Sequence, residues 1–338
     1  MEEMRLGRTE LRVGRTGFGA IPIQRISFDD AKALLVRAYK GGINFFDTAR
    51  RYTDSEEKIG YALAEVRKKI LIATKINAPD RKSFLKELAT SLTNLKTDHV
   101  DLLQLHWPEK LPDPDDPESL YAGLIEARQK GMTRFIGITH HALDVAREAV
   151  TSGLYDTLQF PLSSISSPED LELIELCREH DVGLIAMKAL CGGLLTNAAS
   201  AFAFLRQYEN VLPIWGVQRM SELEEILALE ETPPELDDAM WAAIEKDRKE
   251  LAGDFCRACG YCLPCPQDIP IPMAARMGLL LRRMPYQRFL SEEWQEKMGR
   301  VETCTDCGQC TERCPYQLDP PELMRKMLQD YRTFLAEH

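Results

Sequence analysis

The sequence predicts two parts: an α/β barrel of eight parallel strands over residues 1–250, and a small helical domain over 251–338 organised around cysteines. Three observations lead there. Eight short apolar, β-branched runs alternate with longer stretches of helical period through the first 230 residues. Those runs stop beyond Asp254. Eight of the ten cysteines then fall between Cys256 and Cys314.

In chain order, "MRLGRTELRVGR" at 4–15 alternates like a hairpin and suits the floor of a barrel. The strand runs are "TGFGAIPI" at 16, "INFF" at 43, "KILIAT" at 69, "VDLLQLH" at 100, "TRFIGI" at 133, "YDTLQF" at 155, "VGLIAM" at 182 and "VLPIW" at 211. Between them lie helical patterns such as "SFDDAKALLVRAYKGG", with a Ser/Asp start and a glycine stop, and "SPEDLELIELCREHD". "ALEETPPELDDAM" at 228–240 reads as a boundary with a capped helix after it. The stretch between Cys265 and Cys304 reads as two helices, "PMAARMGLLLRRM" and "PYQRFLSEEWQEKMGR". "DPPELMRKMLQDYRTFLAEH" closes the chain as an amphipathic helix with an Asp N-cap.

Composition narrows the function. The net charge is -11, and the acidic excess lies before Asp254, so no basic nucleic-acid footprint is present. No apolar run is long enough to span a membrane, and "MEEMRLGRTE" lacks a signal peptide's apolar region, so the expected compartment is the cytoplasm. In a reducing compartment four disulfides in so short a window are disfavoured, and metal ligation is the better reading of the cysteines.

Catalytic groups of a barrel sit at the C-terminal ends of its strands. "INFF" runs into "DTARRY", giving Asp47 and Tyr52; "LIAT" ends in Lys75; "DLLQL" ends in His106. Each alone reads as a cap, a solvated lysine or a packed histidine. Together they form an acid–base set: Asp47 holds Lys75 charged, Lys75 favours the Tyr52 phenolate, and His106 orients a carbonyl oxygen.

On "LGRTELRVGRTGFGA", "GGINFFDTARRY" with "SEEKIG", "ATK", "LLQLHW", "IGIT" and "LQFPLS", residues 5–230 resemble the aldo-keto reductase superfamily. The resemblance implies a (β/α)₈ barrel using NADP(H) or NAD(H), with Asp47, Tyr52, Lys75 and His106 as the catalytic tetrad and a small-molecule carbonyl as substrate. It also implies that Gln159 contacts the nicotinamide. Further candidate cofactor contacts are Gly19, Thr139, Met187, Lys188, Gly192, Gly193, Gly216 and Arg219. The pattern departs from the family at this site: Thr139 and His140 replace Ser-Asn, Met187 replaces an aromatic, and Arg219 stands with Glu222 and Glu225 where a basic pair usually grips the 2′-phosphate. Arg50 and Arg51 read either as solvated loop residues or as attractors of an anionic substrate.

The spacing C-x₂-C-x₂-C-x₃-C-P is a [4Fe–4S] ligand pattern. Cys304, Cys307, Cys310 and Cys314 with Pro315 fit it in full; Cys256, Cys259, Cys262 and Cys265 with Pro266 are one residue shorter at the last step. Paired C-x₂-C motifs also make zinc sites, but four cysteines in one run fit a cubane better. Resemblance to two-cluster ferredoxins implies crossed ligation: Cys256, Cys259, Cys262 and Cys314 on one cluster, and Cys304, Cys307, Cys310 and Cys265 on the other. The chain as a whole resembles the aldo-keto reductase branch with a C-terminal ferredoxin-like domain.

Three functions fit. The first is NAD(P)H-dependent carbonyl reduction with clusters relaying electrons, to which a flavin and a ferredoxin-like or flavodoxin-like carrier would add the one-electron steps. The second is an ordinary reductase whose clusters are structural or redox-sensing. The third is a non-enzymatic electron-transfer module, which the intact tetrad disfavours.

Overall fold

The computed structural model describes residues 1–251, 255–283 and 286–338. Asp254, where the composition changes, and Met284 with Pro285, between the two expected helical runs, lie outside the described residues. The chain forms two compact units: residues 1–189 with 198–241, and residues 190–197 with 242–338.

In the first unit, β1 (Glu3–Arg5) and β2 (Arg12–Gly14) form an antiparallel hairpin. The barrel strands are β3 (Gly17–Gly19), β4 (Phe45–Asp47), β5 (Leu71–Ile76), β6 (Val100–His106), β7 (Thr133–Thr139), β8 (Thr157–Pro161), β9 (Gly183–Met187) and β10 (Val211–Gly216). They close in sequence order, with β10 pairing β3, and every neighbouring pair is parallel. All eight strand runs are therefore realised, as a closed parallel α/β barrel. The first is shorter than "TGFGAIPI" suggests, because Pro22 opens a 3₁₀ turn, Pro22–Arg25, in place of further strand.

The hairpin fills one end of the barrel. Met4, Leu6, Leu11 and Val13 pack in one apolar cluster with Phe45, Ala73, Leu102, Ile185 and Leu212. Gly7, at φ +51°, sits where a Cβ would lie 2.2 Å from the Gly183 nitrogen, so only glycine lets the hairpin turn press against the start of β9. Arg5 anchors it with a two-pronged contact to Asp181, at 2.6 and 2.7 Å. With the N-terminal end closed, the opposite rim is left for chemistry.

Local signals explain the helices. Ser27 caps Phe28–Lys40 by accepting from the Asp30 amide, and Ser167 with Asp170 makes a capping box on Pro168–Glu179. The expected linker at 228–240 is narrower: residues through Glu231 belong to the helix Met220–Glu231, and Asp238 already starts the next.

The second unit is helical. "PMAARMGLLLRRM" divides into Ile271–Ala274 and Met277–Arg283, followed by a 3₁₀ turn Tyr286–Leu290 and the helix Glu292–Gly299. The terminal helix Pro320–Glu337 is capped by Asp319. Arg282 pairs with Asp330 at 2.6 and 2.7 Å, and the buried Tyr331 hydroxyl donates to the Phe289 carbonyl at 2.6 Å. Among the described residues no helix is long and apolar enough to cross a membrane.

Candidate active site and cysteine cavities

Asp47 ends β4, Lys75 lies in β5 and His106 ends β6, so three consecutive strands bring them to one rim. Lys75 Nζ donates to both Asp47 carboxylate oxygens at 2.7 Å and to the Thr48 carbonyl at 2.6 Å. Those three bonds use the three ammonium hydrogens and fix the side chain. Tyr52 follows in the turn after β4, with Lys75 Nζ 5.3 Å from its ring centre and the His106 ring edge-on at 5.7 Å. The four side chains are thus neighbours.

Burial governs their protonation. It pushes the Asp47 carboxyl up and the Lys75 ammonium down, and the ion pair between them opposes both shifts. His106 is held well below its ordinary value, by burial first and then by the charges of Lys75 and Arg51, so its imidazole is neutral near pH 7. The rim backbone is also unusual. Thr53, Trp107 and Lys188, each directly following a candidate site residue, have φ of +37°, +56° and +61°. Left-handed backbone at non-glycine residues clusters at functional sites.

The Gln159 side-chain amide on β8 donates from Nε2 to Asp47 Oδ2 at 3.4 Å, while its Oε1 accepts from Gln104 Nε2 at 2.8 Å. Gln104 was not among the expected site residues. Its signal was a polar residue inside an apolar strand run, two before His106 and therefore on the same strand face. Glu56 is a second such residue: it is buried, accepts from Thr74 Oγ1 at 2.7 Å, and is pushed up by burial. Of the loop arginines, Arg50 is engaged by Glu87 at 2.9 Å and Glu56 at 3.7 Å, whereas Arg51 is exposed.

The expected cofactor contacts divide between rim and loops. Gly19 and Gly216 are paired at the ends of β3 and β10. The Thr139 hydroxyl donates to the Gln159 carbonyl at 3.2 Å. His140 follows Thr139 at the end of β7. Its Nδ1 accepts from the Ala142 amide at 3.0 Å and its Nε2 lies 3.1 Å from the Pro108 carbonyl, so both ring nitrogens serve the loop backbone. Met187 is nine-tenths buried within the apolar barrel cluster, and Lys188 follows it. Gly192 and Gly193 fall in the second unit, where the Gly193 amide donates to the Leu190 carbonyl at 2.8 Å and the Gly192 carbonyl accepts from Arg276 at 2.9 Å. Arg219 pairs with Glu222, whose carboxylate also accepts from the amides of Gln218 and Arg219 at 2.9 and 3.1 Å. The positive start of helix Met220–Glu231 is thus already neutralised by this chain's own carboxylate.

In the second unit the cysteines surround two small cavities. Cys256, Cys259, Cys262 and Cys314 line the first; Cys265, Cys304, Cys307 and Cys310 line the second, with Cys262 and Ile271 between them touching both. Among the described residues no three Cys, His, Asp or Glu side chains gather tightly enough for a single ion. Four thiols spread around a cavity suit a larger group bonded to each of them. Cys307 is the one exposed cysteine, and burial pushes the Cys256, Cys262 and Cys310 thiols up, which bonding to iron would offset.

The sequence profile of the aldo/keto reductase family matches residues 11–201. The chain belongs to the aldo/keto reductase family. A second profile, a 4Fe-4S dicluster domain, matches residues 255–319 of this aldo/keto reductase. L-galactose dehydrogenase of Arabidopsis thaliana is 32% identical over 211 residues, covering 57% of this chain and 66% of the relative. Aldo-keto reductase AKR11C1 from Bacillus halodurans superposes with a TM-score of 0.63 at 22% identity, covering 73% of this chain and 96% of that one. An aldo-keto reductase from Klebsiella pneumoniae, solved in complex with NADPH, superposes at 0.63 with 18% identity, covering 72% and 94%. The aldo/keto reductase is an oxidoreductase joined to a C-terminal domain of 4Fe-4S type.

Proposed function

We propose that the barrel reduces a small-molecule carbonyl with a nicotinamide dinucleotide, and that the cysteine unit holds two [4Fe–4S] clusters that relay electrons. The observation that carries the reading is the buried Lys75–Asp47 pair beside Tyr52 and His106 at three successive strand ends. Bound nicotinamide supplies hydride to the carbonyl carbon. The Tyr52 hydroxyl gives its proton to the carbonyl oxygen, so one C–H and one O–H bond form as the C=O π bond is lost, and water reprotonates the phenolate. Lys75 stabilises that phenolate by its charge, and Asp47 keeps Lys75 from turning away. Neutral His106 donates a hydrogen bond to the same oxygen and aligns the substrate. Gln159, oriented by Gln104 and Asp47, presents its amide from β8 as a nicotinamide contact.

The Glu222 carboxylate favours NADH over NADPH. A 2′-phosphate brought to the start of helix Met220–Glu231 would meet a carboxylate already bonded to Gln218, Arg219 and the Arg219 guanidinium. Ribose hydroxyls donate to that carboxylate; a phosphate repels it.

Each four-cysteine cavity is proposed to hold one cluster, in the crossed arrangement that the linings support. A cluster moves single electrons, so a relay needs two transfers per hydride and an outside carrier of ferredoxin-like or flavodoxin-like type. Exposed Cys307 favours exchange at the second cavity.

The test is anaerobic protein with NADH and a panel of aldehydes and ketones, assayed for carbonyl loss and cluster absorbance with and without added FMN. Carbonyl reduction that depends on Tyr52 supports the catalytic reading; full activity in Tyr52→Phe overturns it. Bleaching by NADH alone supports a relay, and bleaching that requires FMN supports a flavin between dinucleotide and cluster. No bleaching while carbonyls are reduced removes the relay.

A further inference from the structure

Arg276 is an unusual residue for its position. It lies in the turn between helices Ile271–Ala274 and Met277–Arg283 and is only 7% exposed. Burying a guanidinium is costly unless negative charge meets it. Its neighbour Ala275 lines the first cysteine cavity. Arg276 Nη1 donates to the Gly192 carbonyl at 2.9 Å. Gly192 has φ +67°, and a Cβ there would stand 3.1 Å from Arg276 Nη1, 3.3 Å from the Arg257 carbonyl and 3.7 Å from the Cβ of Ala258, between Cys256 and Cys259. The glycine therefore admits the guanidinium and its carbonyl holds it.

The two cavities differ in charge. Arg257 lines the first, with its guanidinium over the Phe255 ring at 3.8 Å, and the buried Arg276 stands directly behind the lining residue Ala275. Among the described residues no cation lines the second; Asp306 lies between Cys304 and Cys307 with an oxygen 3.9 Å from Cys304 Sγ, and its partner Arg325 is exposed, so water screens that charge. Reduction adds one electron, and one negative charge, to a group already bonded to thiolates. A fixed cation nearby stabilises the reduced form and raises its potential.

We propose that Arg276, held by the Gly192 carbonyl, is a positioning residue that sets the reduction potential of the cluster in the first cavity and leaves that of the second unchanged. The inference rests on the reading of both cavities as [4Fe–4S] sites and adds which residue makes the two clusters unequal.

The experiment is a redox titration with dithionite, followed by electron paramagnetic resonance, on anaerobic full-length protein. Iron and sulfide are measured first, so that protein without clusters counts against the cluster reading itself. In loaded protein, Arg276→Gln is expected to lower one midpoint enough to change that cluster's oxidised-to-reduced ratio about tenfold at fixed potential, about 59 mV for one electron. Arg276→Lys, which keeps the charge, is expected to stay near wild type. Gly192→Ala displaces the guanidinium and is expected to lower the same midpoint by a smaller factor. Equal shifts at both clusters, no shift in Arg276→Gln, or a shift in Arg276→Lys as large as in Arg276→Gln would overturn the proposal. Should Arg276→Gln fail to hold iron, Gly192→Ala decides: an unmoved midpoint refutes the role, and a selective fall supports it.

Discussion

Lys75 Nζ lies 2.7 Å from each carboxylate oxygen of Asp47, and both side chains are almost wholly buried. Neither charge has water to fall back on, so each depends on the other. Asp47→Asn is expected to destabilise the protein by about 3–5 kcal/mol, the usual result of leaving one partner of a buried pair uncompensated. Activity should fall as well, because Lys75 loses its anchor. Anaerobic thermal unfolding beside steady-state kinetics checks both; an unchanged midpoint would show that the pair is not mutually dependent.

Tyr52→Phe removes a proton donor while leaving the ring next to His106. The expected outcome is a fall of about 10²–10⁴-fold in kcat with little change in dinucleotide affinity. Single-turnover kinetics and dinucleotide titration separate the two.

Three buried histidines, His106, His140 and His141, are all pushed below 6.5, with burial the first cause in each. The unfolded chain therefore binds more protons than the folded one as pH falls through about 6.5. Stability should be fully present above that pH and decline below it, by up to about 1.4 kcal/mol per pH unit for each histidine that stays neutral in the fold. Anaerobic unfolding between pH 5 and 7 reads this slope, and His141→Asn should flatten it. A flat wild-type profile would contradict burial in the neutral form.

Glu222 should make the enzyme prefer NADH by about tenfold or more, equivalent to about 1.4 kcal/mol. Glu222→Gln should narrow the NADH to NADPH ratio of kcat/KM by improving NADPH. A wild type that prefers NADPH would place the adenosine ribose elsewhere.

Cys314 lies in the second cysteine run but lines the first cavity. Wild-type anaerobic protein should carry about eight iron and eight sulfide per chain, as two cubanes require. Cys314→Ser should disturb the cluster shared with Cys256, Cys259 and Cys262 and leave the other intact. Loss of the opposite cluster, seen by electron paramagnetic resonance, would reverse the ligand assignment.

Much of the candidate site was legible because strand ends are local. Asp47, Lys75 and His106 each terminate or nearly terminate an apolar run, and a parallel barrel sends all such ends to one rim. Gln104 escaped notice because a lone polar residue within a strand gives no hint of a partner; Gln159 lies 55 residues away. In "GITHH" the sequence shows a departure from the family's Ser-Asn but not that the turn that follows folds back and uses both nitrogens of His140.

The sequence by itself determined the barrel and the cysteine chemistry. Both are written in short-range patterns: apolar periodicity with turn signals, and thiols at fixed spacing. Only the tertiary structure decided which groups satisfy one another: that the Glu222 carboxylate occupies the start of its own helix, that Gln104 bonds to Gln159, and that Arg276 is buried against Gly192. These depend on charges and hydrogen-bonding groups removed from water together. Burial makes such pairings strong, and no one-dimensional pattern states which groups will be buried side by side.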